Sequence, residues 1–142
     1  MTDFIFYHPI EVRYGDLDPQ GHLNNAKYLT YIEQARIKYI RHLGLWESRS
    51  FLDIGIILAD AHITFKAPIH FDQEVRAGVR VARLGNKSLT MEYRLEDGQD
   101  GAILAECATT LVTYDYRSGE TIPIPDRWRE TITHFEGLPH SG

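Results

Sequence analysis

Between residues 24 and 116 the apolar residues change period once, from helical to alternating, and that change limits the fold more than any other feature. Tyr28, Leu29, Ile32, Ala35, Tyr39, Ile40 and Leu43 share one stripe at helical spacing. Asn24 or Asn25 is placed to cap this helix, which runs to about residue 43, and Gly44 is placed to stop it. At 1.5 Å per residue such a helix is roughly 28 Å long. Tyr31 and Ile37 lie off the stripe, so the apolar arc is wider than one flat sheet needs. A helix wrapped by a curved sheet accounts for it.

Beyond Trp46 the period is two. Ala59, Ala61, Ile63 and Phe65 alternate with polar neighbours, as do Val75, Ala77, Val79 and Val81, and then Leu89, Met91, Tyr93 and Leu95. Gly85-Asn86-Lys87 and the run 97–101 read as hairpin turns. Residues 103–116 alternate on both faces and read as a long central strand. Residues 10–14 read as a strand before the helix, with Pro9 suggesting an edge or a strand start. Ile122-Pro123-Ile124-Pro125 leaves the sheet, and Asp126 is positioned to cap a short last helix. The order strand, helix, four strands predicts an α+β class of two layers: one long helix against an antiparallel meander.

The chain has 142 residues, 43% of them hydrophobic and 25% charged, enough for one globular domain spanning 1–142 with its own core. Cys107 is the only cysteine, which excludes an internal disulfide and a thiolate zinc site. Its apolar strand context reads as inert core. The seven histidines are scattered without ligand spacing, and no metal is expected. A net charge of −5 argues against a nucleic-acid surface while allowing a local basic patch. The run near residues 54–61 is too short and too polar to span a membrane, and residues 1–4 lack a signal peptide's basic and apolar segments. A cytoplasmic location is the expectation.

Polar groups concentrate in the loop Asp16-Leu17-Asp18-Pro19-Gln20-Gly21-His22-Leu23-Asn24-Asn25, just before a helix N-terminus. Unpaired N–H groups and a partial positive charge at that end can stabilise an oxyanion. A nearby carboxylate such as Asp18 can act as nucleophile or as base on water, and His22 is of the residue type that titrates near neutrality. The same residues also make an ordinary turn and cap. Asp16, Asp18 and Gly21 match the opening of a calcium loop, but Lys27 stands where a bidentate Glu is required, so calcium is rejected.

The run from Tyr14 to Tyr28 resembles the D-x-D-x-x-G-H-x-N-N-x-x-Y signature of hotdog-fold acyl-CoA thioesterases, in the branch of the 4-hydroxybenzoyl-CoA and Tol-Pal-associated enzymes. Glu33-Gln34-Ala35-Arg36 resembles that family's E-x-A-R continuation. The resemblance implies a hotdog fold, with one long central helix wrapped by a five-stranded antiparallel sheet. It implies hydrolysis of an acyl-CoA to free coenzyme A and a carboxylic acid, with no cofactor beyond the coenzyme A of the substrate. Asp18 matches the catalytic carboxylate, and Asn25 the position whose backbone N–H polarises the thioester carbonyl. His22 departs from this branch, where an aliphatic residue is usual, and is similar instead to the histidine of plant-type acyl-ACP thioesterases. Their accompanying asparagine is Gln20 here, so His22 stands open between catalytic partner and loop-ordering donor. Asp16 is expected to hold the turn through backbone bonds.

Glu33 matches a substrate-contacting acid, and the plainer alternative is an i,i+3 ion pair with Arg36. Lys87 matches a basic cluster on the coenzyme A phosphates, which Lys66, Arg80 and Arg83 could supplement. The resemblance also implies a homodimer or homotetramer built by pairing the strand at residues 57–65, with the acyl pocket between protomers. Other readings are a hotdog hydratase or dehydratase, a non-catalytic acyl-CoA-binding protein, and a structural assembly subunit. The first uses Asp and His five apart, whereas Asp18 and His22 are four apart.

Overall fold

A computed structural model of the chain describes residues 4–47, 49–53 and 55–139. Residues 1–3, part of the segment inspected for a signal peptide, and residue 54, at the start of the apolar run, lie outside them. In chain order the elements are β1 (Phe6–Ile10), α1 (Asn25–His42), β2 (Ile56–Phe65), β3 (Val75–Leu84), β4 (Ser88–Asp97), β5 (Ile103–Asp115), β6 (Glu120–Thr121) and α2 (Asp126–Glu136). All strand pairs are antiparallel, in the order β1-β3-β4-β5-β2, with the two-residue β6 on β5. The class is α+β, with a curled antiparallel sheet and two helices.

One register row shows how the core forms. Phe6 pairs with Val79, Val79 with Tyr93, Tyr93 with Cys107, and Cys107 with Ile63. Because strand side chains alternate, Val79, Tyr93 and Cys107 share one face with Ala77, Val81, Met91, Leu95, Ala105 and Leu111, and all of these are buried. Ile32, Ala35, Tyr39 and Ile40 of α1 complete that core, together with Trp128 and Ile132 of α2. The Tyr39 hydroxyl donates to Glu136 Oε2, which also accepts from the Val81 N–H where β3 shifts register, so α2 is tied to both α1 and the sheet.

Helix α1 starts and stops as the sequence indicates. Asn24 caps it, its side chain accepting from the Ala26 N–H at 2.9 Å, and Gly44 takes φ +73° just after its end. Pro9 lies in β1, which is an edge strand. Three expectations need correction. β1 lies earlier than residues 10–14, because Asp16 and Leu17 donate back to the carbonyls of Arg13 and Tyr14 and wind that segment into a 3₁₀ turn. Leu29, on the stripe, is 41% exposed; Tyr31, off it, is buried as the wide apolar arc requires, with its hydroxyl on Asp16. β5 is an interior strand, as its two-faced alternation indicates, paired with β4 on one side and β2 on the other. β2 has no buried face along most of its length; Leu58, Ala61 and Phe65 are exposed although they belong to the inner side of the sheet.

Candidate functional site

The segment 16–25 is held as a rigid corner. Asp18 N–H donates to the His22 carbonyl at 2.7 Å, Gly21 N–H returns to the Asp18 carbonyl, and Gly21 closes the turn at φ +79°. The Asp18 carboxylate sits inside that turn, half-buried. Its Oδ1 accepts the backbone N–H groups of Gln20 at 2.9 Å and His22 at 3.1 Å. Oδ2 accepts no hydrogen bond from the described residues. One oxygen fixes the orientation of the carboxylate and the other is open.

Asp16 is buried beneath this corner, 2% exposed. Its backbone holds the turn as expected, its N–H donating to the Arg13 carbonyl and its carbonyl accepting from the Asn24 N–H, and side chains hold its carboxylate as well. The Tyr31 hydroxyl donates to Oδ2 at 2.7 Å, Arg13 Nε reaches the same oxygen at 3.3 Å, and Lys27 Nζ lies 3.9 Å from Oδ1. The Tyr31 bond, aided by Arg13 and Lys27, holds the Asp16 carboxyl below the usual carboxylate range against the opposing effect of burial. Burial first and Asp16 second push the Tyr31 phenol up to about 12.

His22 orders the loop through its backbone N–H, while its ring packs edge-on against the His70 ring, centroids 4.9 Å apart. A bridge between His22 and His70 and the Leu23 N–H to the Ile69 carbonyl tie the corner to the chain before β3. Asn25 is exposed at the first helical position of α1, where backbone N–H groups have no partner within the helix. Tyr28, one turn on, packs its ring edge-on against Phe65 at 4.8 Å. Burial raises the Tyr28 pKa and the Asp18 charge adds to the rise, which places Asp18, Tyr28 and Phe65 in one neighbourhood. The sequence pattern assigns Tyr28 to the core stripe and Phe65 to strand alternation, and it passes over His70; no spacing links residue 70 to residue 22.

Glu33 and Arg36 do not form the i,i+3 pair. Arg36 is turned inward, donating from Nε to the Tyr93 hydroxyl at 2.9 Å, while Glu33 is exposed. Both line a cleft of about 810 Å³ along α1, bounded by Ile56 and Leu58 of β2 and by Ile10 of β1. Asp18, His22 and Asn25 do not line it. Lys87 is exposed on the β3–β4 hairpin, and its carbonyl accepts from Thr113 N–H, the partner of Ile56. It is therefore level with the Ile56 end of β2. Asp18 lies by the Phe65 end, nine residues or about 30 Å away. Arg80 is bound to Glu92 and Lys66 to Glu106, so neither is an unpaired cation beside Lys87. Among the described residues no three His, Cys, Asp or Glu side chains group as a metal site, and no helix is long and apolar enough to cross a membrane.

The model of the Thioesterase-like superfamily matches residues 12–132. The chain belongs to that superfamily. A thioesterase from Thermus thermophilus, whose crystal structure holds coenzyme A and Zn, is 34% identical with a TM-score of 0.85, covering 98% of this chain and all of that one. YsmA of Bacillus subtilis is 26% identical, over 94% of this chain and 88% of its own. The long-chain acyl-CoA thioesterase FadM of Escherichia coli is 22% identical, over 87% and 93%. The superfamily match takes in the Asp18 corner, α1, the four long strands after it and most of α2.

Proposed function

We propose that the chain is a single hotdog-fold thioesterase domain that hydrolyses an acyl-CoA thioester to coenzyme A and a carboxylic acid. The observation that carries this reading is the Asp18 carboxylate: it is pinned through Oδ1, open at Oδ2, and set beside the N-terminus of α1 in a chain of the thioesterase superfamily. Asp18 attacks the thioester carbonyl, giving an anhydride that water opens, or removes a proton from water as that water attacks. In either route the carbonyl oxygen gains charge, and the Asn25 N–H at the positive end of α1 stabilises it. The C–S bond then breaks and the sulfur leaves with its electron pair as coenzyme A thiolate. His22 helps through the backbone bond that orients Asp18; its imidazole, packed against His70, is a nearby group able to carry a proton. The protein's own groups carry this scheme without a further cofactor, and the cytoplasm is the compartment that supplies the substrate.

The acyl pocket is completed by a second copy. β2 is an edge strand of ten residues without proline, and Leu58, Ala61 and Phe65 are left uncovered on its inner side. Antiparallel pairing of two β2 edges covers them and turns the partner's hairpin end towards this protomer's Phe65. Lys87 then contributes to coenzyme A binding across the pair, which the span of about 30 Å prevents within one chain. Glu33, which lines the separate cleft along α1, is assigned to the acyl side of that shared pocket. The test is a panel of aliphatic, branched and aromatic acyl-CoA thioesters with detection of released thiol. Thiol release from at least one member is expected; none from any member would remove the assignment.

A further inference from the structure

The turn before β2 carries two large apolar side chains that its own chain leaves in solvent: Phe51 is 78% exposed and Leu52 50%. The turn is nonetheless firmly built. Trp46 Nε1 donates to the Ser50 carbonyl at 2.9 Å, the Asp53 N–H to the same carbonyl at 3.1 Å, and the Leu52 N–H to Ser50 Oγ at 3.2 Å. The Phe51 ring rests beside Trp46, centroids 5.6 Å apart. Arg117 Nη1 binds Asp53 Oδ1 at 2.6 Å and the Tyr116 hydroxyl donates to the Ile56 carbonyl, so the turn is fixed to the Ile56 end of β2. Leu58, two residues further on, is uncovered too. Adjacent apolar side chains held outward on an ordered turn, continuing into an uncovered strand edge, mark a contact surface.

What meets this surface follows from the way two β2 edges pair. β2 runs from Ile56 to Phe65, and a two-fold antiparallel pairing that uses the whole edge sets Ile56 of one copy opposite Phe65 of the other. Any shift of that register shortens the shared ladder. The turn at 51–53 is thereby carried to the partner's Phe65. That end of the second copy is also apolar and open: Phe65 and Leu29 are exposed, and Tyr28, whose ring packs on Phe65, adjoins Asp18. Within one chain the length of β2, about 30 Å, keeps the turn away from that neighbourhood. Accepting the paired thioesterase reading above, we infer that Phe51 and Leu52 of one protomer form the far wall of the other protomer's acyl subsite and set the length of acyl group it accepts.

The experiment measures kcat/KM for straight-chain thioesters from butanoyl-CoA to hexadecanoyl-CoA on the full-length wild type, Phe51→Ala and Leu52→Ala. Opening the wall should favour longer acyl groups, raising kcat/KM for chains beyond the wild-type optimum, relative to that optimum, about tenfold or more. An optimum unmoved in both folded variants overturns the inference. The origin of the wall is read from a mixed dimer of Phe51→Ala with Asp18→Asn, co-expressed and purified through two tags. Its one intact Asp18 belongs to the Phe51→Ala chain, and the wall of that site comes from the Asp18→Asn chain, so the wild-type optimum should return. A mixed dimer that keeps the optimum of Phe51→Ala would place Phe51 in its own chain's site and overturn the inference. A fully active monomer would do the same while leaving thioester hydrolysis standing. If the wild type releases no thiol from any thioester, the thioesterase reading fails separately, and the juxtaposition is read by a bismaleimide between Leu52→Cys on one chain and Phe65→Cys on the other. Cross-linked pairs are then expected, and their absence overturns the placement.

Discussion

The Tyr31 hydroxyl donates a 2.7 Å hydrogen bond to Asp16 Oδ2 and thereby fastens the second turn of α1 to the loop that carries Asp18. Leu17 alone separates Asp16 from Asp18, and the Asn24 N–H binds the Asp16 carbonyl, so the same anchor also sets the start of the helix. Tyr31→Phe should cost about 1–3 kcal/mol, because a buried carboxylate loses its best donor. Denaturant unfolding of the two proteins at neutral pH measures it; equal stabilities would show that Arg13 and Lys27 suffice.

The pH dependence of this anchor has a definite sign at each end. The Asp16 pKa is lowered by folding, so its contribution is present above the ordinary carboxylate range and is lost as pH falls through the folded value. Tyr31 is raised from 10 to about 12, so its contribution holds below about 10 and is lost as pH rises towards 12. Tyr31→Phe should therefore flatten the stability profile at both extremes. A profile parallel to that of the wild type across the acidic and alkaline arms would count against the coupling.

A proline in β2 tests the edge. Adjacent residues of a strand send their N–H groups to opposite sides, so of Ala61→Pro and His62→Pro one breaks the ladder with β5 and the other removes an outward donor. The outward variant should keep the fold while weakening association and activity together, as read by sedimentation and turnover. A fully active monomer at assay concentration would refute the shared pocket.

Lys87→Glu should raise KM with less effect on kcat, and salt should reproduce part of that rise through screening over about 8–10 Å. Salt-independent KM with an indifferent variant would place the nucleotide elsewhere.

Much of the fold is legible in the sequence because periodicity is a local property. The caps at Asn24 and Gly44, the two hairpin turns and the strands from Val75 onward follow from residue type and spacing. The segment before the helix misleads, since Ile10, Val12 and Tyr14 alternate as a strand does. Only the return of the Asp16 and Leu17 N–H groups to Arg13 and Tyr14 shows that the chain turns there. The Asp18 corner is legible as a motif, but the loop sequence does not disclose that the His22 backbone rather than its ring orients the carboxylate. Arg36 is open to misreading for a related reason. Glu33 stands three residues away on the same helix, and the Tyr93 hydroxyl that binds Arg36 stands 57 residues on, on β4.

Asp18→Asn tests the central claim most directly. An asparagine keeps the Oδ1 acceptor that the Gln20 and His22 N–H groups use, so the corner stays closed while the reactive carboxylate is gone. The measurement is thiol release from the best acyl-CoA of the panel, with unfolding and thioester binding recorded on the same preparation. The account predicts a fall in kcat of at least ~10²-fold with stability and binding near wild type. Wild-type turnover by a folded Asp18→Asn protein would contradict it.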